Sequence, residues 1–541
     1  MRKCLKMWMV LLAVLAGGSH GWGGELLPRE TEMAAVVDHY IQVELKRGKL
    51  KAAPLADDAN LLRRTTLDLA GRLPSAFEAQ AYVQSTQANK RQELIERLLA
   101  SDGYVRHQAN ELDLLLMTGT GYSLKNYLAP LVRENKPWDE IFRDMLLAES
   151  KEGKPHPASE FLKQRAQDLD QLTNEVSVRF FGVNISCAKC HDHPLVDDWK
   201  QDHFYGMKSF FSRTFRNGDF IAEREYGLIK FKTTAGEEKT AKLMFLTGTE
   251  QPEPADEEPS KEEQKKQNEL FKELEKKKEA PPAPKFSRRA QLLEVALKTG
   301  ENEMFAKSIV NRIWHRLIGY GLVMPLDQMH SGNPPTHPEL LDWLARDLIE
   351  HQYDLRHLIR GIVQSDTYAL SSRWEGDDRP EPYYFAVANA RPLNPLPYGA
   401  ALKQASASPD QFQPEKTKPE DLEKRLEGTA NSGASLANLF ETPDDYFQVG
   451  VDEALLLNNN ERLTNDLLAD NNTKLVGHLK QITDRRQWID TLYWTILSRP
   501  PAAEEVAAVS AYLDARQDRP VEATQQVVWA LLASAEFRFN Y

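Results

Sequence analysis

The residues best equipped for chemistry in this chain are Cys187, Cys190 and His191, within Cys187-Ala188-Lys189-Cys190-His191. Two soft sulfurs and an imidazole in five residues suit covalent haem attachment, ligation of a non-haem metal, or thiol redox chemistry. Their i, i+3, i+4 spacing puts all three on one face of a single helical turn, as a c-type haem requires. Zinc held by this stretch alone is strained, because adjacent Cys190 and His191 cannot easily share one tetrahedral ion. It would need a remote ligand such as His203. Asp192 and His193 follow immediately and suit a supporting role that orients the site. Met207 and His203 are the candidates for a second axial ligand. Pro194 disfavours helix at His193, so the turn must be short.

The elements that must position this turn are helical. Periodicity predicts helices over Thr31–Ile41, Asn60–Ala70, Ser75–Tyr82 and Lys90–Ala100, and another over 168–181 that Gly182 ends. Trp199, Phe204, Tyr205, Met207, Phe210 and Phe211 follow the motif, as core packing or as walls of a haem pocket. Residues 217–248 read as a small β insert. Residues 249–286 are proline-flanked and densely charged, with too few apolar side chains to offset ordering entropy. They read as a charged, disordered linker between two domains, able to form at most a transient helix. Helical patterns resume from 287, with a surface loop expected over Gln404–Thr442 and helices over 452–468, 484–497, 503–513 and 521–537. The fold class is therefore mainly α: an N-terminal helical domain over 30–216, the insert, the linker, and a C-terminal helical domain over 287–541.

The first 21 residues have the layout of a signal peptide. Arg2, Lys3 and Lys6 precede the apolar run Met7–Ala16, and small residues follow. The apolar run is too short to span a bilayer, and no transmembrane anchor is expected elsewhere. The expectation is an exported protein, periplasmic or extracellular, with cleavage near Trp22. Of three cysteines, Cys4 lies before the apolar run, so the mature chain keeps only Cys187 and Cys190. One pair is no disulfide framework, and stability must come from the hydrophobic core. A net charge of −12 argues against nucleic-acid binding. No G-x-S-x-G, Walker A or H-E-x-x-H pattern occurs, so the common hydrolase and NTPase sites have no motif support.

In the second half, Asn311, Arg312, Trp314 and His315 share one helix, and His337 and Glu339 start another. They read either as a polar pocket facing the N-terminal domain or as buried braces and caps. Asp327 and His330, between those helices, are open to both readings.

The run Asn184–Trp199, NISCAKCHDHPLVDDW, resembles the planctomycete cytochrome-c-like family of secreted proteins, built from two paired domains of unknown function. The N-terminal partner's leading block appears as Leu62–Pro74, LRRTTLDLAGRLP. Blocks similar to the C-terminal partner's are Val310–Trp314, Gly319–Val323, Asn333–Asp342, Leu497–Pro501 and Trp529–Asn540. The resemblance implies export, a cytochrome-like label and a redox partner protein, but no established reaction. Two functions from different classes stand side by side. One is an exported electron-transfer protein with haem c on Cys187 and Cys190 and His191 as axial ligand. The other is a secreted binding or scaffold protein whose cysteine–histidine cluster holds a non-haem transition metal or forms a disulfide staple.

Overall fold

The computed structural model describes residues 26–193, 196–254, 258–298, 303–414, 418–443 and 460–541. The signal-peptide reading, Pro194 and the first part of the helix expected over 452–468 lie outside them. The described chain is mainly helical, with only small two-stranded sheets, so the mainly-α expectation is correct. None of its helices is long and apolar enough to cross a membrane.

Local sequence explains many of the helix ends. Ser75 caps Ala76–Gln84 through a capping box with Glu78, and Asp484 accepts from Gln487 N at the start of Arg485–Ile496. Pro338 opens Pro338–Glu350 at a position where its missing N–H costs nothing. Asp58–Ala70 ends at Gly71 in the left-handed conformation, φ 62°.

Packing does not follow the boundary drawn from composition. One hydrophobic core joins side chains on both sides of the charged segment, among them Val36, Phe142, Phe180, Trp314 and Leu344. Its centre is aromatic. Phe142 lies 4.5 Å from Phe180 and 4.8 Å from Phe305, and Phe181 lies 5.0 Å from Phe245. Such ring pairs add about 0.5–1.5 kcal/mol each beyond burial. A second core uses residues 393–537 and is completed by Leu67 and Leu73 from the first half.

Two segments differ from the sequence reading, and the third, the insert, is β as expected. The segment read as a disordered linker carries the helix Lys261–Lys277, capped by a Ser260–Glu263 box. Its single buried side chain, Phe271, meets Phe215 edge-on at 4.9 Å. One well-placed aromatic and many surface polar contacts, such as Tyr226 Oη to Asn268 Oδ1 at 2.8 Å, dock a helix that composition alone cannot recognise. The loop expected over Gln404–Thr442 instead contains the helix Pro419–Ala437, lying against Pro395–Ala405. Proline, serine and charged residues made that stretch look like a loop, but glycine is what lets the two helices touch. A Cβ on Gly433 would sit 2.3 Å from Ala400 N. In the insert region, Thr214–Asn217 pairs with Phe220–Glu223, and Lys230–Lys232 with Glu238–Thr240, as two separate hairpins.

Candidate functional site

The helix Leu169–Phe181 delivers the chain to the cysteine motif. Asp168 caps its start by accepting from Asp170 N and Gln171 N, and Gly182 ends it at φ 67°. Glycine is required twice over at that position. The backbone is left-handed, and a Cβ would lie 2.6 Å from Met329 Sδ. Beyond it, Ile185 N donates to Asn174 Oδ1, and Ser186 N donates to Asn184 Oδ1, so the turn is pinned before it begins.

The motif itself is a 3₁₀ turn, Ser186–Lys189, and not the α-turn that the i, i+4 spacing of His191 anticipates. With three residues per turn, side chains at i and i+3 eclipse. Ile185 and Ala188 therefore share the inward face and are fully buried. Cys187 and Cys190 share another face, and both are exposed free thiols. The remaining face carries Lys189, whose Nζ pairs with Asp170 at 2.7 Å. From the following helix, Gln201–Phe211, Tyr205 Oη donates to Lys189 O at 3.1 Å and Gln201 Nε2 to Cys190 O at 3.3 Å. Asp192 Oδ1 accepts from Gln201 N at 3.0 Å. An apolar plug, an ion pair and carbonyl-directed hydrogen bonds thus fix a turn whose reactive side faces water.

His191 is exposed, and its Nδ1 sits 2.8 Å from the Asp192 carbonyl oxygen. That contact selects the tautomer in which Nδ1 carries the proton and Nε2 keeps its lone pair for a metal. His193 donates its backbone N–H to Trp199 O at 2.8 Å. The two candidate axial residues lie in different surroundings. His203 is half-buried on the Gln201–Phe211 helix, edge-on to Trp199, with Nδ1 accepting from Lys200 N. Burial lowers its pKa. Met207 is fully buried in the main core. Trp199, Phe204, Phe210 and Phe211 are buried there too, while Tyr205 stacks on Phe231 at 4.2 Å.

The second half holds the motif from beneath. Residues just before His330 pair with the segment that leads into the turn. Met329 N donates to Gly182 O, Asn184 N donates to Asp327 O, and Val183 bridges Gln328. Asp198, beyond the motif, accepts from Ser331 N and Oγ at 2.7 and 2.6 Å. Burial lowers the pKa of His330, and His193 acts in the same direction against Asp198. Asp327 and His330 therefore belong to the support of the motif.

The other second-half residues divide. Asn311 is a brace, donating to Val323 O and accepting from Val323 N, and Trp314 is core against Phe385. His337 is buried beside Phe385, with its pKa pushed down to about 4 by burial and by Arg47. Arg312 and His315 line a cavity of about 570 Å³ between the halves, with Asp68, His107, Glu111 and Arg316. The sequence reading missed Gln108, Glu111, Arg179 and Arg391 of this cavity, which come from separate segments. It also missed Asp347, His351 and His357, whose potential ligand atoms lie within 4.8 Å of one another. There Asp347 already engages His357 Nε2 at 2.9 Å, and the two imidazoles stack at 3.9 Å.

The fold and site thus describe a helical protein whose two halves share a core and jointly support an exposed CxxCH turn. Residues 36–216 match PSCyt2, a protein of unknown function (DUF1549), and residues 288–432 match PSD1, a protein of unknown function (DUF1553). The matches fall in the N- to C-terminal order of the paired family that the sequence resembles. No curated protein and no solved structure matches the chain.

Proposed function

We propose that this chain is an exported redox protein that carries a c-type haem on Cys187 and Cys190, with His191 as an axial ligand, and exchanges electrons with a partner protein. One observation supports this reading above the others. Both thiols are exposed on the same face of a pinned turn, beside an imidazole whose Nδ1 is engaged by a backbone carbonyl. The donor set suits the group: two sulfurs for attachment and one oriented nitrogen for iron. When bound, the haem would supply one-electron chemistry at its iron. Cys187 and Cys190 would each add across a vinyl group, sulfur to one carbon and proton to the other, with no net oxidation. Ala188 and Ile185 keep the turn seated while its outer face stays accessible to maturation and to a partner. Electron transfer is the minimal role.

The name PSCyt2 is in keeping with a cytochrome-like reading. Export rests on the basic start and the apolar run Met7–Ala16. Protein recovered from the periplasm or medium should begin near Trp22, and recovery only with Met1 intact contradicts export. Attachment is tested by co-expression with a c-type maturation system. Pigment that survives acid–acetone extraction supports the reading. Colourless protein holding one equivalent of a transition metal, or an oxidised Cys187–Cys190 pair, supports the scaffold alternative.

A further inference from the structure

The turn between the helices Pro338–Glu350 and Leu355–Gln364 brings together three metal-binding side chains that the haem reading does not use. Asp347 lies in the last turn of the first helix, His351 caps that helix, and His357 stands in the first turn of the second. One ligand atom can be taken from each so that all three lie within 4.8 Å of one another.

Local structure holds them there. Asp347 and His351, four residues apart, share a helix face. His357 is folded back onto them because Gln352 and Tyr353 are both left-handed, φ 53° and 56°. Neither is glycine, so this reversal is one that side-chain-bearing residues rarely make. The packing around it fixes the turn. Tyr353 N donates to Leu348 O at 2.8 Å, and Tyr353 O accepts from Trp138 N at 3.1 Å. The Tyr353 ring meets Phe305 of the main core at 5.3 Å. Asp354 Oδ1 accepts from His357 N at 2.9 Å and so caps the second helix.

Charge and distance point the same way. Asp347 is 5% exposed, and among the described residues its carboxylate pairs with no lysine or arginine. The arginines of the two helices are engaged elsewhere, Arg346 with Leu27 O, Arg356 with Val132 O and Arg360 with Glu96. A buried carboxylate is costly without a cation beside it. Its only charged partners are imidazoles, with Oδ2 2.9 Å from His357 Nε2 and Oδ1 3.4 Å from His351 Nδ1. The two rings stack at 3.9 Å, where two protonated imidazoles repel each other. Two ligands bonded at 2.0–2.2 Å to one tetrahedral ion stand about 3.3 Å apart, and the two observed separations straddle that value. His351 also lies 2.9 Å from the Asp347 carbonyl oxygen, but its side chain is 48% exposed, so its ring can turn to an ion without disturbing the core.

We propose that Asp347, His351 and His357 bind one divalent transition-metal ion of the zinc class. Two imidazoles and a carboxylate suit zinc and its neighbours, whereas magnesium and calcium favour sites made of oxygen alone. The exposed side of His351 leaves the fourth position to water. The site shares no residue with the cysteine turn and does not depend on haem there.

Zinc is the probe, with calcium as the oxygen-preferring control. The untagged full mature chain is used with Cys187→Ser/Cys190→Ser, so that the cysteine turn neither carries haem nor competes for the ion. Equilibrium dialysis with metal analysis should find a zinc ion bound here that excess calcium does not displace. His351→Gln, at an exposed residue, should weaken binding at least about tenfold, since even groups that only orient a ligand are worth that much. Asp347→Asn and His357→Gln should do the same. Zinc should raise the melting temperature of the parent protein and not that of His351→Gln. Hydrogen exchange should show zinc protecting the segment around 347–357, which locates the ion even if Asp347→Asn fails to fold. Failure of the haem reading leaves each of these results unchanged. Zinc held equally with and without His351→Gln, no zinc retained, an unchanged affinity in folded Asp347→Asn, or protection confined to other segments would overturn the proposal.

Discussion

Asp68 is the most informative residue to perturb, because one buried carboxylate ties together three distant parts of the chain. It is 8% exposed and accepts from both terminal nitrogens of Arg391, from Tyr368 Oη at 2.7 Å and from Asn540 Nδ2 at 2.8 Å. Asp68→Asn keeps the shape, removes the charge and puts an NH2 donor where two donors already point, whichever oxygen it replaces. Arg391 then stays buried without its counter-ion. Removing one partner of a buried pair costs about 3–5 kcal/mol, more than the net value of the pair itself. The expected result is a large fall in the urea midpoint followed by tryptophan fluorescence, with early release of the C-terminal residues in hydrogen exchange. A double-mutant cycle with Arg391→Gln should show the two losses to be strongly non-additive, since the second substitution removes the stranded charge. A loss below about 1 kcal/mol for Asp68→Asn, or simple additivity, refutes the claim that this network joins the halves.

His337 gives the chain a pH-sensitive term. Its folded pKa, near 4, lies below the ordinary 6.5 because burial and Arg47 oppose its charged form. Its contribution is complete above pH 6.5 and is lost as pH falls toward 4, at most about 3 kcal/mol. His337→Gln should flatten the stability curve between those pH values, and an unchanged curve contradicts the assignment. Phe271→Ala should undock the Lys261–Lys277 helix and make it the first site of limited proteolysis, with the rest of the chain intact. Wild-type protein cut there just as readily would show that the helix is not docked.

Much of the architecture was legible in the sequence where local rules decide it. Caps such as Ser75, Asp168 and Asp484, the stop at Gly182, and Pro338 at a helix start are readable because a few neighbouring residues suffice. The cysteine turn was found by its spacing, although its 3₁₀ form depends on Ile185 and Ala188 fitting the core, which spacing does not report. The Pro419–Ala437 helix was missed because its proline, serine and charged residues read as a loop, whereas Gly433 serves a close helix crossing. The Lys261–Lys277 helix was read as no more than transient because one buried Phe271 is invisible in a composition dominated by charge. The cavity had no local signal, since Gln108, Arg179, Arg316 and Arg391 meet only after the halves pack. The hint lay in Arg312 and His315, read as one side of a polar pocket facing the N-terminal domain, and both line the cavity.

The central claim is covalent haem on the exposed turn, and the absorption spectrum of acid–acetone-extracted protein tests it most directly. Protein matured in a c-type system should keep a Soret band after extraction. Cys187→Ser should keep a reduced, altered covalent pigment through Cys190, and His191→Ala should shift the spectrum or block maturation by removing the axial nitrogen. A Soret band that disappears on extraction, or wild-type protein that never acquires one under conditions that mature a control cytochrome, contradicts the account.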